Sequence, residues 1–265
     1  MSLEVDMNQD ESISKALRLT RAITFHLHPH NGHLVMGVCQ HPHLTAAHFT
    51  LWITIGDHFD HESGFVVNVS EIDLAFKTAL KNNTHSPNNH YQIIQIAHQI
   101  ITDAFDFFHL FSLKLDVHNQ LTISKTFSED GAMIKITKKY EICAAHWLNN
   151  DTWTKEKNID VFGKCHNIGG HGHNYTLEVT VKGEPDNATG ELDLSGVDET
   201  IIAEIYDRFD HRNLNDLPQF AHLNPTVENM VQVCWQLISG KFKHVTLCKI
   251  GIWETPKTYA QYCGN

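Results

Sequence analysis

Cys165 is followed six residues later by His171, and His173 comes one glycine further on, in the run Cys165-His166-Asn167-Ile168-Gly169-Gly170-His171-Gly172-His173-Asn174-Tyr175. A thiol and an imidazole pair in that order can build a site that holds a metal ion beside a reactive sulfur. Tyr175, Leu177, Val179 and Val181 then alternate with Thr176, Glu178, Thr180 and Lys182, which predicts a half-buried strand. Residues two apart on a strand share a face, so both imidazoles can reach one ion. A catalytic zinc uses three protein ligands and keeps a fourth position open. His146 is the candidate third ligand, because it ends a strand in phase with Tyr140, Ile142 and Ala144. The chain has 21 histidines, so a histidine pair also arises from composition alone. A lone cysteine is most often a small buried apolar side chain. Beside a metal-bound substrate, positive charge lowers its pKa and makes it a candidate general base.

Three further groups carry candidate chemistry. Asp210-His211 places an acid beside an imidazole, a pairing that surface loops also produce. Glu254 ends an apolar strand, as a solvated strand end or as an anchor for a cationic or amide-like group. Thr226 and Glu228 flank the start of a helical pattern, where an acid suits the helix dipole.

The elements that must position these groups are written twice. With a constant offset, Val35, Gly37 and Cys39 match Val161, Gly163 and Cys165, and Phe49-Thr50-Leu51 matches Tyr175-Thr176-Leu177. The register runs on to Gly64 and Gly190, each after a polar turn. Ile72, Phe76, Ala79 and Leu80 recur at helical spacing in the first half, as do Val197, Ile201 and Ile205 in the second. A second helix follows in each half, over Ile93 to Ala104 and over Val227 to Ile238. Strands close each half, over Phe111 to Val117 and Val245 to Glu254, and open each half, over Leu17 to Phe25 and Ala132 to His146. The expectation is an α+β protein of two tandem units, over 12–127 and 132–265. Each unit is a four-stranded antiparallel sheet with two helices on one face, in the order ββααββ. The polar stretch Ser124 to Gly131 forms the seam. In the first half Thr45 and Ala47 replace the histidine pair, and His118-Asn119 stand in place of Trp253-Glu254. The first copy reads as non-catalytic, with an architectural role.

Bulk properties exclude several classes. At 265 residues and 42% hydrophobic content the chain can build one or two cores. No apolar run is long enough to span a bilayer. The N-terminus shows no secretory signal pattern, and six cysteines without a CxxC pair suit reduced thiols, so a cytoplasmic protein is expected. A net charge of −11 opposes nucleic acid as a main partner.

Taken together, the second half resembles the family of 6-pyruvoyl-tetrahydropterin synthase and its relative, 6-carboxy-tetrahydropterin synthase of queuosine biosynthesis. The resemblance rests on Phe162-Gly163-Lys164-Cys165, His171-Gly172-His173-Asn174-Tyr175, Leu192-Asp193-Leu194, Phe209 to Leu214, Pro225 to Asn229 and Trp253-Glu254-Thr255, in that order. It implies the tunnelling fold (T-fold), whose units join sheets into a barrel with sites at the seams between units, hence a homo-oligomer. It implies Zn2+ held by His146, His171 and His173, with Cys165 as general base and Asp210 and His211 as a proton relay. Glu254 would anchor the pterin ring, assisted by Thr226 and Glu228. The implied substrate is 7,8-dihydroneopterin triphosphate, with triphosphate eliminated. The six-residue spacing from Cys165 to His171 resembles the pyruvoyl type, whereas Leu214 to Pro218 and Asn224 to Thr226 look more like the carboxy type. A pterin-binding or scaffold protein without turnover is the alternative from another class.

Overall fold

A computed structural model of the chain describes residues 18–27, 33–37, 48–56, 62–63, 66–81, 86–105, 109–118, 121–128, 131–186 and 189–264. Cys39, Thr45, Ala47 and Gly64 lie outside the described residues. The chain divides into two compact units, one of Met1–Lys135 with Pro185–Glu191, the other of Ile136–Glu184 with Leu192–Asn265.

The first unit contains β1 (Arg18–Leu27), β2 (Leu34–Met36), β3 (His48–Gly56), α1 (Val69–Leu80), α2 (His90–Ala104), β4 (His109–His118) and β5 (Leu121–Ser128). Its strands are ordered β5-β4-β3-β1-β2, and every pairing is antiparallel. Alternation decides the buried face: Ile23 and Phe25 on β1 and Phe49, Leu51, Ile53 and Ile55 on β3 are buried. Each helix begins at an asparagine whose side chain accepts a backbone N–H, Asn68 from Ser70 and Asn89 from Gln92. From there Ile72, Phe76 and Leu80 of α1 and Ile93, Ala97, Ile100 and Ile101 of α2 form buried stripes. Phe76 meets Phe25 with ring centroids 5.6 Å apart, which fixes the helices on the Phe25 face of the sheet. Full burial of such a ring stabilises by about 1.5–3 kcal/mol.

The second unit contains most of β6 (Gly131–His146), then α3 (Lys155–Phe162), a 3-10 turn (Gly163–His166) and β7 (His171–Gly183). Next come α4 (Val197–Ile201), a π-helical turn (Ile202–Tyr206), α5 (Asp207–Phe209) and the short β8 (Arg212–Asn213). α6 (Val227–Ile238), β9 (Thr246–Thr255) and β10 (Thr258–Tyr262) close the unit. The sheet order is β10-β9-β7-β6, with β8 lying parallel beside β6. Tyr175, Leu177, Val179 and Val181 of β7 are all buried. They face α6, whose Val227, Met230, Val231, Cys234 and Ile238 form its apolar side.

Beyond the ββααββ expectation, the first unit carries the short β2. The second adds α3, β8 and three 3-10 turns around the candidate site.

The closing strand of the first unit corrects one expectation. Thr176 pairs with Trp253, and its counterpart Thr50 pairs with Asp116. The place of Trp253-Glu254 is therefore taken by Asp116-Val117, not by His118-Asn119. Strand irregularities between Thr54 and Ile55, and between Thr180 and Val181, move the register in ways side-chain alternation does not reveal.

The face of the second sheet away from α6 carries a polar knot. Glu178 is only 9% exposed. Its carboxylate receives Trp253 Nε1 at 3.2 Å and Tyr259 OH at 3.3 Å, and pairs with Lys139 Nζ at 3.1 Å and Lys249 Nζ at 3.7 Å. Burial alone would raise its pKa. The hydrogen bond and charge of Lys139, with Trp253 and Lys249, hold it below the usual carboxylate range.

Candidate metal centre

His146 is the last residue of β6 and is 1% exposed. Its Nδ1 lies 2.7 Å from the Pro225 carbonyl, which can only accept, so Nδ1 carries the proton and Nε2 presents a lone pair. That Nε2 lies 3.1 Å from His171 Nε2. His171 and His173 open β7 on one face, and ring centroids within the three-histidine group are 4.6, 5.3 and 4.8 Å apart. One ligand nitrogen from each of the three lies within 4.8 Å of the others. Burial lowers the pKa of His146 and of His173, which favours the neutral imidazoles that metal binding requires. His171 Nδ1 and His173 Nε2 are buried without a hydrogen-bond partner. Three imidazoles with converging nitrogens, one of them otherwise unsatisfied, could hold a metal ion.

The chain around the cluster is fixed by asparagines. Asn215 accepts from Trp147 N and donates to Trp147 O, both at 2.9 Å. Asn224 Oδ1 accepts from Asn149 N, and buried Asn158 accepts from Asn150 N. The segment that leaves His146 is thus held at successive residues. Gly170 takes φ +70°, and a Cβ there would stand 3.3 Å from the His146 carbonyl. A glycine is therefore required where β7 begins beside its partner.

Glu254 follows Ile250 and Ile252 on the buried face of β9, and its Oε1 lies 3.4 Å from His146 Nε2 and 3.6 Å from His173 Nε2. Cys165 is half-buried in the 3-10 turn, and its carbonyl accepts from Leu148 N at 2.7 Å, two residues past His146. Tyr175 is fully buried, with its hydroxyl 3.4 Å from His146 Nδ1. Burial pushes its phenol well up, and the nearby charges of Glu254 and Cys165 push it further. The structure therefore gathers His146, His171, His173 and Glu254 beside one buried tyrosine, with Cys165 in the turn whose main chain is bonded to Leu148.

Asp210 and His211 lie elsewhere. Asp210 Oδ1 accepts from Cys143 N at 2.8 Å, and Oδ2 accepts from His211 Nδ1 at 2.7 Å. Burial opposes ionisation of Asp210, but the bonds from Cys143, His211 and Tyr206 hold its pKa down. His211 N also bonds Cys143 O, and His211 is the one non-glycine with positive φ, 56°, among the described residues. Its ring is 79% exposed. Cys143 precedes His146 by three residues, about 10 Å along the strand. Among the described residues, no hydrogen bond or ion pair joins this dyad to Cys165 or to the histidine cluster. Thr226 caps α6, its Oγ1 accepting from Asn229 N, and Glu228 is an exposed first-turn acid.

Sequence reasoning did not single out Pro225, Tyr206 or the buried tyrosine. Tyr175 could have been found, since it is in phase with His171 and His173. The Pro225 carbonyl leaves no side-chain signal.

The fold and site define an α+β protein with an antiparallel sheet and a three-histidine cluster able to hold a metal ion. A family model described as 6-pyruvoyl tetrahydropterin synthase matches residues 135–265. A 6-pyruvoyl tetrahydrobiopterin synthase of Drosophila melanogaster is 39% identical over 132 residues, covering 49% of this chain and 79% of the relative. That of Homo sapiens is 34% identical over 133 residues, covering 49% and 92%. A 6-carboxy-5,6,7,8-tetrahydropterin synthase of Bacillus subtilis is 26% identical over 139 residues, covering 48% and 84%. A solved Caenorhabditis elegans 6-pyruvoyl tetrahydropterin synthase is 32% identical, with TM-score 0.45, covering 50% of this chain and 96% of that one. The chain belongs to the 6-pyruvoyl tetrahydropterin synthase family through its second half. No helix among the described residues is long and apolar enough to cross a membrane.

Proposed function

We propose that the second unit is a zinc-dependent pterin synthase. It converts 7,8-dihydroneopterin triphosphate to 6-pyruvoyl-tetrahydropterin with elimination of triphosphate, as a carbon–oxygen lyase. The observation that carries this reading is the grouping of His146, His171, His173 and Glu254 beside one buried tyrosine. When bound by the three histidines, zinc supplies Lewis-acid polarisation of the substrate's side-chain hydroxyls. The rest is done by the chain. The Glu254 carboxylate accepts hydrogen bonds from the guanidine-like edge of the pterin, with Thr226 and Glu228 assisting. The Cys165 thiolate takes a proton from the side-chain carbon next to a developing carbonyl. His211, its Nδ1–H donated to Asp210, is free to give or take a proton at Nε2. The carbon–oxygen bond to triphosphate breaks, and the remaining steps are internal tautomerisations with no net gain or loss of electrons.

The separation of Asp210-His211 from Cys165 within one chain supports a homo-oligomer in which sheets join into a barrel and a second copy completes each site. The first unit is read as a degenerate, non-catalytic T-fold copy over 12–127, and the catalytic unit as spanning 132–265. The whole is read as a cytoplasmic protein.

The carboxy-producing reaction of queuosine biosynthesis is the second reading. The 26% identity to the Bacillus subtilis protein favours it, as does the Leu214 to Pro218 segment. A pterin-binding scaffold without turnover is the third.

Incubating zinc-loaded protein with dihydroneopterin triphosphate and weighing the product separates the three. The expected outcome is triphosphate release with a pyruvoyl product. A carboxy product with acetaldehyde selects the second reading, and no release selects the third. Cys165→Ala should abolish release while zinc content and pterin binding persist.

A further inference from the structure

The position of Glu254 is hard to reconcile with a carboxylate that only waits for a pterin. Its Oε1 stands 3.4 Å from His146 Nε2 and 3.6 Å from His173 Nε2, while His146 Nε2 stands 3.1 Å from His171 Nε2. A tetrahedral site with metal bonds of 2.0–2.2 Å has ligand-to-ligand edges of about 3.3–3.5 Å. The observed separations bracket that length. The lone pairs make the same point. The Pro225 carbonyl holds the proton of His146 on Nδ1, so Nε2 turns a lone pair toward the Glu254 oxygen. His173 Nε2 is buried without a hydrogen-bond partner and faces the same oxygen. The His146 lone pair facing the Glu254 carboxylate is an acceptor against an acceptor, an arrangement that repels unless a cation stands between them.

We infer that Glu254 is the fourth ligand of the metal before substrate enters, and that the seating pterin draws this carboxylate off and opens the coordination position. This rests on reading the three histidines as the metal centre and Glu254 as the pterin anchor. A guanidine-like edge donates two parallel N–H bonds that engage both carboxylate oxygens, so a seating pterin competes with the metal for Oε1. The metal is then closed to water and stray ligands until the correct ring arrives.

Co(II), whose visible absorption reports the number and type of its ligands, tests this in the full chain. Wild type and Glu254→Gln are loaded with Co(II) and titrated with 6-methyl-7,8-dihydropterin, which lacks side-chain hydroxyls. Glu254→Gln should bind Co(II) with a changed spectrum and about tenfold or more weaker affinity. The pterin should change the wild-type spectrum on its own, a measurement that needs no variant to fold. Identical spectra and affinities for the two proteins overturn the fourth-ligand assignment while leaving the histidine site standing. A wild-type spectrum unmoved at saturating pterin overturns the release step. Failure of wild type to bind Co(II) overturns the metal centre itself, and the inference with it.

Discussion

His211 combines an exposed ring with a backbone that side chains rarely adopt, and replacing it separates the cost of the turn from the role of the imidazole. At φ 56° a residue with a Cβ pays about 1–2 kcal/mol, which a glycine does not. Against that, glycine adds unfolded-state freedom worth about 0.5–1 kcal/mol. Either replacement also loses the pair with Asp210, which at 79% exposure of the ring is worth at most about 1 kcal/mol. His211→Gly should therefore lie within about 1 kcal/mol of wild type. His211→Ala, which keeps the strain and loses the pair, should be the less stable variant, by about 1 kcal/mol. That order reverses the usual preference for alanine over glycine. Urea unfolding of the three proteins reads it directly. Both variants should lose about 10²–10⁴-fold in triphosphate release, the range of a positioned acid–base group. Equal stability of the two variants would refute the left-handed turn. Full activity in either would refute the relay.

Two other perturbations follow from the geometry. Glu178 has a lowered folded pKa, so its contribution to stability is fully present above its ordinary value of 4.5 and is lost as pH falls through the folded value. Glu178→Gln should flatten the stability curve in that acidic window. It should also cost about 1–3 kcal/mol at pH 7, because Lys139 and Lys249 are only partly exposed. Chemical denaturation from pH 3 to 7 checks both. Gly170→Ala should destabilise by about 1–2 kcal/mol from φ +70° alone, and its Cβ presses on the His146 carbonyl. Thermal unfolding with and without zinc should then show a smaller metal-induced gain than in wild type.

The parts of the site that the sequence reveals are the parts carried by side-chain alternation. His171, His173 and Tyr175 are in phase, as are Ile142, Ala144 and His146, and Ile250, Ile252 and Glu254, so their shared face could be read before any fold was known. The parts it hides depend on backbone. The π-turn at Ile202–Tyr206 looks like ordinary helix in Val197, Ile201 and Ile205, yet it widens the last turn before Asp210. The register shifts between Thr54 and Ile55 and between Thr180 and Val181 leave no mark in the side-chain alternation. Asp210 and His211 lie beside Cys143 because β8 runs parallel to β6, a pairing of two residues with no sequence pattern of its own.

The hydrogen bond from His146 to the Pro225 carbonyl has a consequence for how this protein can vary. A main-chain oxygen is present whatever residue occupies the position, so no single codon change at 225 removes the acceptor. What would remove it is a change of chain length in the loop leading to α6, which would slide a different peptide group opposite the imidazole. The ligand's proton is thus protected against substitution and vulnerable to insertion or deletion. Position 225 should tolerate a new side chain more readily than the loop before it tolerates an inserted or deleted residue.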